Sequence, residues 1–115
     1  MPKVLVVDDE QGIRETMQDI LALEGYDVAT AGSGEKAVAA CRRDRYDFAL
    51  LDIHMPGMNG VDTLRAIKGI DPSVRVIMIT GFDTGALTDQ AMQAGAEAVF
   101  RKPLDVATFL PLLLV

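Results

Sequence analysis

Residues 50–60 read Leu50-Leu51-Asp52-Ile53-His54-Met55-Pro56-Gly57-Met58-Asn59-Gly60. The apolar run from Phe48 to Leu51 stops at a carboxylate, Asp52, and a proline, two glycines and an asparagine follow within eight residues. Such residues break regular structure and set turns. The stretch therefore predicts a buried strand that delivers Asp52 to the rim of a sheet, followed by a loop. A single aspartate at a strand end would ordinarily do no more than open the turn. Here three other strand ends carry matching chemistry.

Upstream of this stretch, Val4 to Val7 is a continuous apolar run, the pattern of a strand covered on both faces, and it stops at Asp8-Asp9-Glu10. Ile13, Met17, Ile20 and Leu21 then share one helical face, and Gly25 closes that helix. Asp27 to Ala31 reads as a short strand anchored by Val28. Ser33 is placed to cap a second helix, with Glu35 at its positive end and Val38 and Cys41 facing inward. Downstream, a third helix follows Asn59-Gly60 with Val61, Leu64 and Ile67 inward. Pro72 marks the loop into a fourth apolar run, Val74 to Ile79, which ends at Thr80-Gly81. Leu87 and Ala91 lie on a fourth helix closed by Gly95. Glu97 to Arg101 is a fifth strand, ending at Lys102-Pro103, and a last helix starts near Asp105, burying Val106, Phe109, Leu110 and Leu113. Pro111 falls inside that helix, where a proline costs roughly 3 kcal/mol or more, so a bend or an early end is expected there.

Strands alternating with helices predict an α/β fold with a parallel sheet covered on both faces. At 115 residues, spanning 1–115, the chain makes one domain. Half of it is hydrophobic and 24% is charged, which is ordinary for a soluble globular protein. The net charge of −6 argues against a nucleic-acid surface, since phosphates would be repelled. Cys41 is the only cysteine, so neither an internal disulfide nor a cysteine metal site can form. No signal peptide precedes the first strand, and the longest apolar stretch, Phe109 to Val115, is too short for a bilayer. A cytoplasmic location without membrane contact is the expectation.

All strands of a parallel sheet end on one edge, so Asp8-Asp9, Asp52, Thr80 and Lys102 share a rim, where ligand sites of open α/β sheets form. Crowded carboxylates repel one another and resist full ionisation. A hard cation removes that cost, and Mg²⁺ suits one or two carboxylates together with waters and a phosphate. Lys102 brings a compact positive charge for an anion, and Thr80 brings a hydroxyl. Taken singly, each has a plainer role: a helix-start acid cluster for Asp8-Asp9-Glu10, a cap for Thr80, a solvated lysine for Lys102. Together they describe a phosphoryl-transfer site, in which a carboxylate can itself attack phosphorus. His54 has no partner histidines for zinc, and the six methionines read as core and loop fillers.

Val-Val-Asp-Asp-Glu (6–10), Leu-Leu-Asp-Ile-His-Met-Pro-Gly-Met-Asn-Gly (50–60), Ile-Thr-Gly (79–81), Gly-Ala (95–96) and Lys-Pro (102–103) together make the chain resemble the receiver domain of two-component response regulators. The resemblance runs from Lys3 to about Leu114. It implies a flavodoxin-like (βα)5 three-layer sandwich with strand order 2-1-3-4-5. It also implies that Asp52 takes a phosphoryl group from a phosphohistidine on a sensor histidine kinase or histidine phosphotransfer protein. Asp9, Asp52 and the backbone carbonyl of His54 would bind Mg²⁺ (or Mn²⁺) directly, with Asp8 acting mostly through water. Lys102 would pair with the phosphoryl oxygens, Pro103 would follow a cis peptide bond, and Thr80 would hydrogen-bond the phosphoryl group and draw in the loop before the fourth helix. The only chemistry implied is self-phosphorylation and slow loss to water, as in a switch and not a turnover enzyme. Output would pass through the fourth helix, fifth strand and fifth helix, to a partner or to a second copy in a homodimer. The chain is then either a stand-alone receiver or the N-terminal part of a longer response regulator.

Several positions depart from that pattern or vary within it. An aromatic residue usually stands three before the lysine; Val99 stands there, and Phe100 is expected on the other side of the sheet. His54 and Phe82 flank the acceptor and would tune dephosphorylation, Phe82 by screening the acyl phosphate from water. Three rival functions are weaker. An aspartate-nucleophile phosphatase resembles Asp-x-Asp, and here the second place is His54. A flavin module needs phosphate donors in its first loop, which here is Asp8-Asp9-Glu10. A pseudo-receiver acting only as an interaction module would not need the full set of acceptor residues.

Overall fold

The structure, a computed structural model, describes residues 2–81 and 85–101. Phe82, Lys102, Pro103, the last helix expected near Asp105, and the apolar end Phe109 to Val115 lie outside the described residues.

The described chain runs β1 (Lys3–Val7), α1 (Gln11–Leu23), β2 (Asp27–Ala31), α2 (Gly34–Arg43), β3 (Phe48–Asp52), α3 (Gly60–Ile70), β4 (Arg75–Thr80), α4 (Gly85–Gln93) and β5 (Ala98–Arg101). All four strand pairs are parallel, and the sheet order is β2-β1-β3-β4-β5. This is the flavodoxin-like α/β order that the resemblance implies. Every neighbouring pair is sequential except β1 and β3, so strand order reverses between them, the place where such folds open a crevice.

The strand pleat splits the core in two. Leu5, Val7, Ala49, Leu51, Val76 and Met78 point to the face covered by α2, α3 and α4. Val4, Val6, Phe48, Leu50, Ile77 and Ile79 point to the opposite face, where Met17 and Leu21 of α1 and Tyr26 pack. β3 is buried along its whole length, as its unbroken apolar run predicts, because it is central and covered twice. The edge strand β2 buries only Ala31 fully, and Val28 is half-covered.

Local chemistry sets the helix starts. Ser33 caps α2 by accepting from the Lys36 N–H at 3.2 Å, and Asn59 caps α3 by accepting from the Asp62 N–H at 2.9 Å. Val61, Leu64 and Ile67 form the buried face of α3. On α2 the outcome differs: the buried residues are Gly34, Ala37 and Ala40, Cys41 is half-buried against the core, and Val38 is half-exposed and outside it. The helix lies close over α3, so its contact stripe is built of small side chains and the larger ones are pushed to its edge. At Gly34, for example, a Cβ would strike the Thr63 hydroxyl. Burial raises the Cys41 thiol pKa, with Asp71 adding to the effect, which fits a small hydrophobe.

Gly60 sits where α3 meets the end of β3. Its N–H donates to the Ile53 carbonyl at 2.9 Å, and a Cβ there would lie 2.3 Å from the Asp52 carbonyl oxygen. No rotamer change can relieve that clash, because the obstacle is main chain. Replacing Gly60 by alanine is expected to cost about 1–3 kcal/mol of stability, the usual range for overpacking. Urea unfolding of G60A measures it, and an unchanged midpoint would mean that α3 can move off the strand end at no cost.

Candidate functional site

Register decides which side chains meet at the rim. Val7 pairs with Ala31 on one side and with Leu51 on the other. One residue further, Asp8 therefore stands beside Asp52, with its own N–H donating to the Ala31 carbonyl at 3.2 Å. Asp52 pairs with Ile79, so Thr80 terminates the neighbouring strand. Thr80 in turn pairs with Arg101, the residue before Lys102. Asp8, Asp52 and Thr80 thus occupy three adjacent strand ends, β1, β3 and β4, as their sequence placement predicts. All three are buried, at 3%, 3% and 2% exposure.

Two buried carboxylates on neighbouring strands demand local support, and the same device serves both. Asp8 Oδ1 accepts from the Glu10 N–H at 3.0 Å, and Asp52 Oδ1 accepts from the His54 N–H at 3.1 Å. Each is an Asx-type turn, in which the side chain bonds the backbone two residues on. A main-chain donor aimed at the oxygen fixes the side-chain rotamer. Asp9 and Glu10 are exposed, and their carboxylates lie within 4.8 Å of one another and of Asp8. Glu10 therefore joins Asp8 and Asp9 in one acidic triad, and Asp52 stands on the adjacent strand end.

The donor chemistry fits a hard divalent cation. Every offered group is a carboxylate oxygen, close enough for like charges to repel, and the innermost carboxylate is shielded from bulk water.

Two residues outside this set hold its loops. Arg14 Nη1 donates to the Asp8 carbonyl at 2.7 Å, tying α1 to the turn that carries the acidic triad. Glu35 accepts from the Met58 N–H at 3.0 Å, tying the start of α2 to the loop after Asp52. Neither carries a sequence signal for this role, since each bond joins elements that only the fold brings together. Next to that loop, Ile53, His54, Met55, Pro56 and Asn59 face Leu87 of α4 across a cavity of about 490 Å³. On β5, Val99 packs into the core shared with Leu87 and Ala91, and Phe100 packs into the opposite core. The expected split between the two faces is therefore present, and Val99 holds the place nearest α4.

A family model described as response regulator receiver domain matches residues 4–113. The chain belongs to that family. Sporulation initiation phosphotransferase F of Bacillus subtilis is 36% identical over 104 residues, covering 90% of this chain and 84% of the relative. Among solved structures, a CheY-like receiver domain protein from Methanospirillum hungatei superposes with a TM-score of 0.95 at 29% identity, covering 98% of this chain and 90% of the other. A chain of the CheX-CheY-BeF3-Mg²⁺ complex from Borrelia burgdorferi reaches 0.91 at 34% identity, with coverages of 98% and 87%. Other curated relatives are longer: this chain spans 27% and 44% of two of them. Receiver domains are signalling modules of two-component systems. No described helix is long and apolar enough to cross a membrane.

Glu35 also offers a pH test of the loop geometry. Its carboxyl is held below the ordinary 4.5, first by its own backbone N–H, then by that of Met58. A depressed folded pKa means that the bond is fully present above the unfolded value and is lost as pH falls through the folded one. The Met58 amide resonance is expected to titrate with a midpoint below 4.5. A midpoint at or above that value would mean that the carboxylate does not hold the loop.

Proposed function

We propose that Asp52 is the phosphoacceptor of a signalling switch, fed by a phosphohistidine on a sensor histidine kinase or phosphotransfer protein. The observation that carries this reading is the burial of Asp52 on the central strand, beside Asp8 and Thr80, with one oxygen already oriented by the His54 N–H. A held carboxylate needs no reorganisation before attack. In the reaction a carboxylate oxygen of Asp52 forms the new O–P bond. The P–N bond of the donor breaks, and its electron pair returns to the imidazole nitrogen.

Asp9, Asp52 and the His54 carbonyl are the proposed direct ligands of a Mg²⁺ (or Mn²⁺) ion, with Asp8 acting through water. When bound, the ion neutralises charge on the phosphoryl oxygens and on the carboxylates. Asp8 and Asp52 orient the site, while Thr80 offers a hydroxyl to the phosphoryl group once it is in place. Lys102, next in the chain after Arg101, is the proposed cation for the remaining oxygens. The Borrelia complex, which contains both BeF3 and Mg²⁺, supports pairing a phosphoryl-like group with a hard cation on this scaffold.

Switching follows from the new charge on Asp52, met by the Thr80 hydroxyl at the β4 end and read out at α4 and β5, where a partner or a second copy is proposed to dock. With Val99 in place of an aromatic ring, the readout is proposed to run through Leu87 and Ala91 packing on α4. Cytoplasmic action follows from the proposed kinase partner.

Intact mass after incubation with Mg²⁺ and acetyl phosphate tests the reading. One phosphoryl group per chain is expected on the wild type and none on D52N. Equal labelling of D52N, or an unmodified wild type, would place the acceptor elsewhere or remove the function.

A further inference from the structure

The loop between β3 and α3 must be held in place if the His54 carbonyl and Asp52 are to face one ion. Its two ends are fixed by backbone N–H donors, one to a side chain and one to a carbonyl. His54 N–H donates to Asp52 at the near end, and Gly60 N–H donates to the Ile53 carbonyl at the far end. Between them lie Met55, Pro56, Gly57, Met58 and Asn59, with no strand or helix of their own. The middle of this span is held from outside by a residue 23 positions earlier, Glu35, whose Oε1 accepts from the Met58 N–H at 3.0 Å.

The surroundings are built for that contact. Gly57 has φ +75°, a conformation that favours glycine, and a Cβ there would sit 3.3 Å from Glu35 Oε1. A Cβ at Gly34 would sit 3.0 Å from the Met58 carbonyl oxygen. The start of α2 and the loop therefore touch main chain to main chain. The Glu35 carboxylate is itself pre-set by its own N–H and by the Ser33 hydroxyl, which also caps the helix.

We propose that Glu35 is a positioning residue that clasps Met58 and thereby sets the loop carrying the His54 carbonyl, tightening cation binding at the Asp8–Asp52 rim. The inference rests on the metal-assisted phosphoacceptor reading and adds to it a residue outside the acceptor set. The plainer role for Glu35 is an acid favoured by the helix dipole. The two roles differ in what they require: the dipole needs only charge, whereas the clasp needs reach to Met58. Because the bond is exposed, its effect is modest, about threefold in affinity, at the low end for an ordinary net hydrogen bond.

Side-chain length and charge can be varied separately. E35D keeps the charge and loses a methylene of reach, E35Q keeps the reach and an acceptor oxygen, and E35A loses both. Mg²⁺ is titrated into the wild type and each variant, with amide chemical shifts as the readout and thermal melting as a check on folding. Half-saturation is expected to rise about threefold in E35A and E35D and to stay nearer the wild type in E35Q, which keeps the reach and an acceptor for the Met58 N–H. If E35D binds like the wild type while E35Q matches E35A, charge at the helix start is what matters and the clasp is overturned. If all four proteins respond alike, Glu35 does not position the loop. A wild type that shows no response to Mg²⁺ overturns the metal reading and this inference with it, an outcome separate from the other two.

Discussion

The structure depends on one constraint: parallel strands finish on the same edge, and the two central strands each finish in a buried carboxylate. β1 and β3 lie side by side in register, so Asp8 and Asp52 cannot avoid each other. Burial disfavours charge, and a neighbouring like charge disfavours it further. The chain spends local structure on both, giving each oxygen a backbone N–H two residues ahead. The arrangement is what the proposed cation-binding phosphoacceptor would need.

Around that pair the fold is arranged to hold loops and not to add catalytic groups. Arg14 secures the turn after β1, Gly60 lets α3 abut the end of β3, and Glu35 reaches the loop between them. Packing below the rim is ordinary by comparison, two apolar layers divided by the strand pleat. Above that packing, Leu87 of α4 meets both the His54 cavity and the core that contains Val99.

Much of this was legible in the residues, because apolar periodicity and strand-end chemistry are local. The span Asp27–Ala31, the helix face Val61, Leu64 and Ile67, the Ser33 and Asn59 caps and the opposite orientation of Val99 and Phe100 all follow from neighbours in sequence. Val38 and Ile20 illustrate the limit. Both are large and apolar at inward-looking positions, yet both are only partly buried, Val38 because the small residues of α2 make its close contact with α3. Arg14 and Glu35 were illegible for a related reason. Each looks like a common helix charge until the fold brings Asp8 or Met58 within reach. That Glu10 joins Asp8 and Asp9 in an acidic triad likewise depends on turn geometry and not on residue order.

If the crowded rim is a cation site, ligand linkage requires the ion to stabilise the folded chain, by about 2.7 kcal/mol at a hundredfold excess over the dissociation constant. The most direct measurement is the urea unfolding free energy of wild type and D52N across a Mg²⁺ series at constant ionic strength. Stability of the wild type is expected to climb with the logarithm of Mg²⁺ concentration, with a much weaker climb in D52N. Parallel curves for the two proteins, or a flat curve for the wild type, would contradict the claim that Asp52 and its neighbours converge on one ion.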